Sequence, residues 1–142
     1  MKFSIVTLVM LVAFSACESK TNSNEASDST ETVTQDSKPV VQNLSQANLT
    51  AKLSESNVIL VDVRTPGEVS EGHIEGASVF IDFYSDDFQQ KVKELDKSKT
   101  YVMYCRSGGR SGKAAKFMVD NGFSTVYNLE GGISSYTGVL AK

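Results

Sequence analysis

A nearly continuous apolar run, VILVDV at residues 58–63, constrains the fold more than any other feature of this chain. Its apolar residues are all β-branched or leucine and only Asp62 interrupts them, which favours a strand covered on both faces. The runs SVFID at 78–82 and TYVMY at 100–104 predict further buried strands, and STVYNL at 124–129 predicts another. Helix-like segments separate these runs, so the sequence predicts an α/β fold around a mainly parallel sheet.

Three helices are predicted between the strands. After a first short strand within 40–44, residues 45–53 predict a short helix with Ser45 as its N-cap. A charged amphipathic helix is expected around 86–95. Residues 111–121 predict a third helix, which follows a glycine-rich turn and has an apolar stripe toward the core. A short final helix is expected after the glycine pair at 131–132.

The sequence of the N-terminus predicts a targeting signal. Residues 1–16, MKFSIVTLVMLVAFSA, combine Lys2 with an uncharged apolar stretch and a small-residue end, as secretory signals do. The stretch is shorter than the roughly 18 to 20 residues that a membrane-spanning helix needs. FSAC at 14–17 resembles the bacterial lipobox, which implies removal of the signal and lipidation of Cys17, so that the chain is membrane-anchored without spanning the bilayer. Glu18 after that cysteine favours the outer membrane, facing the periplasm.

Residues 17–39 predict a flexible tether between this anchor and a folded domain. Only Ala26 and Val33 are apolar within 18–37, and such a stretch buries too little surface to offset the entropy of ordering it. A globular domain is therefore expected over 40–142.

Cysteine and charge counts narrow the function further. Lipidation of Cys17 would leave Cys105 as the only thiol of an exported chain, so no intramolecular disulfide is expected. With 14 basic and 17 acidic residues, the chain lacks the broad positive field of a nucleic-acid-binding protein.

Cys105 lies where the predicted strand 100–104 meets a turn and a helix, in the stretch CRSGGRS. A turn that opens a helix points backbone N–H groups into one concavity, where the helix dipole adds positive charge. Gly108 and Gly109 let the backbone curl, and Arg106 and Arg110 add charge. These features favour a thiolate without a histidine partner. The plainer alternative is that Cys105 is a small buried residue and that both arginines are solvated.

Taken in order, VILVDVRTPGEVSEGHIEGA, YVMYCRSGGRSGKAA and LEGGI resemble a single-domain rhodanese, a thiosulfate sulfurtransferase, over about residues 43–136. The resemblance implies a three-layer fold in which helices flank a mainly parallel sheet. It also implies that Cys105 carries sulfur as a covalent persulfide, with no bound cofactor and no metal. The implied partners are a small anionic sulfur donor and a thiol or cyanide-like acceptor. The residues implied to bind the substrate are those of the loop: Arg106, Ser107, Gly108, Gly109, Arg110 and Ser111.

The sequence also allows two functions other than sulfur transfer. Related phosphatases and arsenate reductases use a Cys-x5-Arg loop that admits a tetrahedral oxyanion, and they tend to have histidine before the cysteine. This chain has Cys-x4-Arg and Tyr104, which favours sulfur over phosphate or arsenate. A non-catalytic binding module is the second alternative, although relatives that have lost turnover usually lack the cysteine.

Three polar residues outside the loop are also candidates for a role near the site. Asp62 and Arg64 follow a buried strand, where they must be paired or exposed, and we expect them to support the loop rather than to react. His73, the only histidine, lies in GHIEGA. The resemblance implies that this segment is a structural turn leading to the next strand, so His73 is not assigned to catalysis.

Overall fold

The computed structural model describes residues 39–142. The predicted signal, Cys17 and the tether up to residue 38 lie outside the described residues. The elements, in chain order, are β1 (Gln42–Leu44), α1 (Gln46–Leu53), β2 (Val58–Asp62), α2 (Pro66–Ser70), β3 (His73–Ile74), β4 (Ala77–Phe80), α3 (Phe88–Lys93), β5 (Thr100–Tyr104), α4 (Gly109–Asp120), β6 (Thr125–Leu129), a 3-10 helix (Gly132–Ser135) and β7 (Leu140–Ala141).

Five strands form the central sheet, in the order β1-β6-β5-β2-β4. Every neighbouring pair is parallel, which confirms the predicted mainly parallel sheet. β5 and β2 have a neighbour on each side, so the two most apolar runs of the sequence occupy interior positions, as expected for strands buried on both faces. The prediction of a buried strand at 78–82 was wrong in part, because β4 is an edge strand whose Phe80 is 44% exposed.

Helices cover both faces of the sheet and make three layers. On one face, Met103 of β5 packs in a cluster with residues of α3 and α4, among them Phe88 and Met118. On the other face, Val102 packs with Leu49 of α1. Neighbouring residues of β5 thus belong to opposite clusters, as the alternation of side chains along a strand requires.

Three short elements were not predicted. They are α2, β3 and β7, and the last two pair as an antiparallel two-stranded sheet. His73 and Ile74, expected in a structural turn, therefore form a strand. Elements of two to five residues are too short to show a hydrophobic period. Within residues 39–142, no helix is long and apolar enough to cross a membrane.

The helix predicted at 111–121 begins two residues earlier, at Gly109. Its N-cap is Gly108, which adopts a left-handed conformation with φ of 98° and offers no capping side chain. Sequence rules that look for Ser, Thr, Asp or Asn at a helix start do not detect such a beginning.

Candidate functional site

Cys105 follows β5 directly and lies at the carboxyl end of the central sheet. In a parallel sheet the carboxyl ends of neighbouring strands meet at one edge, and this edge is where such folds hold their ligands. The neighbouring strand β2 ends in register, with Asp62 opposite Tyr104. The residues that follow β2 and β5 are therefore brought side by side.

The sulfur of Cys105 lies inside the turn that opens α4. The backbone N–H of Gly108 donates to Sγ at 3.2 Å, and the hydroxyl of Ser111 lies 3.5 Å from the same atom. Cys105 is only 1% exposed. The left-handed Gly108 turns its own N–H back toward the sulfur, a conformation that costs a residue with a Cβ about 1 to 3 kcal/mol.

Hydrogen bonds and burial act in opposite directions on the thiol. Burial of the sulfur raises the pKa of Cys105. Hydrogen bonds from Ser111, Ser107 and Gly108 lower it by more, so the net pKa of the thiol lies below its ordinary value. The site therefore stabilises the thiolate, the nucleophilic form of cysteine, relative to an unperturbed cysteine.

The 3-10 helix after β6 supports the loop from behind. The N–H groups of Ile133 and Ser134 donate to the carbonyl oxygens of Cys105 and Arg106, at 2.9 and 3.0 Å. Gly132 fits so closely that a Cβ there would collide with the Cys105 carbonyl oxygen and lie 2.7 Å from that of Arg106. The position of the loop thus depends on a glycine 27 residues further along the chain.

Arg110 is paired with a carboxylate of α2, the helix that follows β2. Its two terminal nitrogens donate to the two oxygens of Glu68 at 2.7 and 2.6 Å. The guanidinium holds the pKa of Glu68 down at about 2, against the opposing effect of burial, and the carboxylate raises the pKa of Arg110. This bidentate pair neutralises the charge of Arg110.

Arg106 is the other arginine of the loop, and its side chain is exposed. Among the salt bridges of residues 39–142, none involves Arg106. It borders a cleft of about 360 Å³ together with Arg64, Glu71 and Ile133. Within residues 39–142, the loop arginine whose charge is not balanced by a salt bridge is therefore Arg106 rather than Arg110.

Asp62 and Arg64 form a buried ion pair next to the loop. Asp62 is fully buried and Arg64 is 6% exposed. Nη2 of Arg64 lies 2.6 Å from the carboxylate, while Nε lies 3.0 Å from each of its oxygens. The same guanidinium donates to the carbonyl oxygens of Glu68 and Gly72. The pair thereby ties the middle of α2, and Gly72 just beyond it, to the end of β2.

Comparison with known proteins assigns this arrangement to a family. The model of the Rhodanese-like domain matches residues 45–138. The chain belongs to the rhodanese-like family. A Bacillus subtilis (strain 168) protein named "Putative sulfurtransferase YtwF" is 38% identical over 99 residues, which cover 69% of this chain and 92% of that protein.

This chain is also similar to solved structures and to parts of longer proteins. A rhodanese-related protein from Thermoplasma volcanium superposes with a TM-score of 0.62 at 27% identity, over 70% of this chain and 97% of that one. A tRNA uridine(34) hydroxylase from Yersinia pestis (strain Pestoides F) is 38% identical over 90 residues. The match spans only 24% of that hydroxylase and 59% of this chain.

The rhodanese-like domain brings most of the predicted site residues together. Gly108 and Ser111 of the predicted loop contact the sulfur of Cys105, and Asp62 and Arg64 lie at the adjoining strand end. His73 lies in β3, where its ring packs edge-on against Phe80 at 5.0 Å between centroids. Cys17 lies outside the described residues.

Sequence reasoning did not assign two residues that contact the loop. Glu68 binds Arg110, and Asn128 of β6 lies 2.7 Å from the hydroxyl of Ser111. The pattern Thr65-x-x-Glu68 is a capping-box signature that predicts a helix start, so it could have revealed α2. Nothing in the pattern indicates that Glu68 also reaches a residue 42 positions away.

Proposed function

We propose that this rhodanese-like domain is a sulfurtransferase that takes sulfane sulfur from a donor such as thiosulfate, holds it as a persulfide on Cys105, and passes it to a thiophilic acceptor. The observation that carries the proposal is the placement of one sulfur inside the Cys-x4-Arg loop, within reach of the N–H of Gly108 and the hydroxyl of Ser111. The kinship with a protein named as a sulfurtransferase supports it.

The first step is a displacement at sulfur. The Cys105 thiolate attacks the outer sulfur of thiosulfate, a new S–S bond forms, and the S–S bond of thiosulfate breaks. Sulfite leaves with the electron pair of that bond, and the persulfide keeps one negative charge. In the second step an acceptor nucleophile attacks the outer sulfur, and the Cys105 thiolate leaves with the electron pair of the persulfide bond.

The loop suits these steps through electrostatics. N–H groups aimed at one point stabilise an anion there without reorganising, and a persulfide carries its charge on the outer sulfur. Arg106, which forms no salt bridge within residues 39–142, supplies positive charge at the rim of the adjoining cleft, where a dianionic donor would approach.

Intact-protein mass spectrometry tests the proposal. The full chain carrying Cys17→Ala leaves Cys105 as its only thiol, and incubation with thiosulfate is expected to add the mass of one sulfur atom. Adding Cys105→Ser should abolish the addition, and cyanide should remove the sulfur as thiocyanate. An unchanged mass with Cys105 present, or equal addition to the serine variant, would overturn the proposal.

The alternatives give different products. A non-catalytic binding module would accept no sulfur from thiosulfate, and a phosphatase or arsenate reductase would turn over a phosphate ester or arsenate. Assays of the same preparation with these substrates therefore distinguish the three functions.

We also propose that the chain is exported and anchored by lipid on Cys17, facing the periplasm from the outer membrane. The proposal is based on residues 1–18 alone. Expression of the full chain in a bacterium, followed by detergent phase partitioning and membrane fractionation, should place it with outer-membrane lipoproteins. Cys17→Ala should move it to the aqueous phase, and an aqueous wild-type chain would contradict the anchor.

A further inference from the structure

The cleft bordered by Arg106 lies next to the loop that holds the sulfur. Its volume of about 360 Å³ is near the lower end of the range for small-molecule sites, which is about 300 to 1,000 Å³. Arg106 directly follows Cys105 in the chain, and Glu68, which also lines the cleft, binds the loop through Arg110. The N–H of Ser134, another lining residue, donates to the carbonyl oxygen of Arg106 at 3.0 Å. A small molecule in the cleft would therefore border the loop.

Four charged side chains line this cleft, and the protein itself balances the charge of two of them. Arg64 is paired with the buried carboxylate of Asp62 at 2.6 Å. Glu68 is paired with the guanidinium of Arg110, also at 2.6 Å. A ligand in the cleft would compete with these pairs for either residue, so the two other charged side chains are the ones that can attract it.

These two side chains, Arg106 and Glu71, have opposite charges. Both are exposed, and within residues 39–142 neither forms a salt bridge with the other or with any other residue. The half-buried Ile133 adds apolar surface to the same cleft. A dianion would be attracted by Arg106 and repelled by Glu71, whereas a small molecule that carries one positive and one negative charge complements both.

We propose that this cleft binds the sulfur acceptor, and that the acceptor is a small thiol with both an ammonium and a carboxylate group. Glu71 binds the ammonium and thereby determines specificity, and Arg106 binds the carboxylate. The identification of the acceptor rests on the proposed function, whereas the charge preference of the cleft does not.

The transfer step uses the two charges after the donor has gone. The thiolate of the acceptor attacks the outer sulfur of the Cys105 persulfide, and a new S–S bond forms. The persulfide bond breaks, and the Cys105 thiolate leaves with its electron pair, so that the product is the persulfide of the acceptor. Sulfite has left before this step, which allows Arg106 to attract the donor and the acceptor in turn.

The test compares four related thiols as acceptors. The full chain with Cys17→Ala is loaded on Cys105 from thiosulfate and freed of the donor, and loss of the sulfur is followed by intact mass. L-Cysteine carries both charges, its methyl ester only the ammonium, N-acetyl-L-cysteine only the carboxylate, and the methyl ester of N-acetyl-L-cysteine neither. Each second-order rate constant is divided by that of the same thiol with 2-hydroxyethyl disulfide, an uncharged disulfide, which corrects for differences in thiol reactivity.

L-Cysteine should remove the sulfur about two- to fivefold faster than either singly charged derivative, as expected for one solvent-exposed ion pair. Glu71→Gln should abolish its advantage over N-acetyl-L-cysteine and keep its advantage over the methyl ester, and Arg106→Gln should do the reverse. Glu75→Gln is the matched control. Glu75 is also exposed and forms no salt bridge within residues 39–142, but it does not line the cleft, so its substitution should leave the ratios unchanged.

Equal corrected rates for the four thiols with the loaded chain would show that both side chains are only solvated, and would overturn the inference while leaving the proposed function intact. Equal loss of preference in Glu71→Gln and Glu75→Gln would overturn it as well.

Failure of Cys105 to load would instead refute the proposed function, and with it the identification of the acceptor. The charge preference is then measured without a persulfide, as the rate at which Cys105 forms a mixed disulfide with cystine, its dimethyl ester and its N,N′-diacetyl derivative. Each rate is divided by that of the same disulfide with 2-mercaptoethanol. A preference for cystine that Glu71→Gln removes would support the charge preference of the cleft, and equal rates would refute it.

Discussion

Two strand-to-helix junctions lie at the same edge of the sheet, and they differ in how the N-terminus of the helix is capped. β2 runs through a short turn into α2, and β5 runs through a short turn into α4. At the first junction, Thr65 and Glu68 form a capping box, in which each side chain accepts from the other residue's backbone N–H. At the second, Gly108 is the N-cap and no side chain caps the helix.

The difference explains how the second junction can direct a backbone N–H to a sulfur. Backbone N–H groups at a helix start need partners. In α2 the protein's own oxygens supply them, whereas in α4 the N–H of Gly108 is directed to Sγ of Cys105. The loop around Cys105 is therefore a helix start without a capping side chain, in which a sulfur takes the hydrogen bond of an N–H group.

The junctions are also joined to each other. Glu68 caps α2 through Thr65 and at the same time binds both terminal nitrogens of Arg110 in α4. Glu68 of the β2–α2 junction thus holds the side chain of Arg110 in the β5–α4 junction. The 3-10 helix holds the backbone of the loop around Cys105.

Two alanine substitutions, one in the 3-10 helix behind the Cys105 loop and one in α2, should give the largest contrast between the junctions. Gly132→Ala forces a Cβ against the carbonyl oxygens behind the Cys105 loop, at a residue with φ of 55°. We expect a loss of about 2 to 5 kcal/mol in the free energy of unfolding and loss of sulfur loading. Urea denaturation and intact mass measure the two effects.

Gly67→Ala is the matched control, because a Cβ at Gly67 of α2 meets nothing within 4 Å. Its free energy of unfolding should change by less than about 1 kcal/mol, since alanine suits a helix better than glycine. Similar losses in both variants would show that the loop does not depend on close packing behind it.

The contrast between the junctions marks what could be predicted from the sequence. The strand 100–104 was predicted with its observed bounds, because a buried strand between two turns has a strong local signal. Cys105 and its loop were recognised from an ordered motif. α2 and β3 were not predicted, because such short elements are stabilised by their pairing and capping partners and show no hydrophobic periodicity.

The contacts that complete the site could not be predicted for a different reason. Glu68 and Arg110 are 42 positions apart, and Asn128 and Ser111 are 17 apart. Their contacts depend on strand order, which places β2 and β6 on either side of β5. Each arginine of the loop looks equally available in the sequence, yet only Arg106 lacks a carboxylate partner among the described residues.

Removing the bridge between the junctions should have an intermediate effect. Glu68→Gln should lower the free energy of unfolding by about 1 to 2 kcal/mol at neutral pH, because a bidentate, partly buried ion pair is lost. The native pKa of Glu68 is depressed to about 2. Its stabilising contribution is therefore present above the ordinary carboxyl pKa of 4.5 and is lost as the pH falls from there toward about 2.

Urea denaturation between neutral pH and about pH 3 measures this loss, and the glutamine variant should lose less stability than the wild type over that range. Glu71→Gln is the control, since Glu71 borders the same cleft as Arg106 but forms none of the salt bridges of residues 39–142. If both variants have the acid profile of the wild type, the bridge does not link the junctions energetically.

Removing the cap of α2 should have the smallest effect and the most selective one. Thr65→Ala deletes the oxygen that accepts from the Glu68 N–H, which should cost about 1 kcal/mol in the free energy of unfolding, while Thr65→Ser should restore most of it. The midpoint of the pH dependence with which iodoacetamide alkylates Cys105 should stay unchanged, because the N–H that contacts the sulfur belongs to the other junction. A midpoint that rises with Thr65→Ala and returns with Thr65→Ser would show that the cap of α2 also holds the loop, through Glu68 and Arg110, and that the two junctions work as one unit.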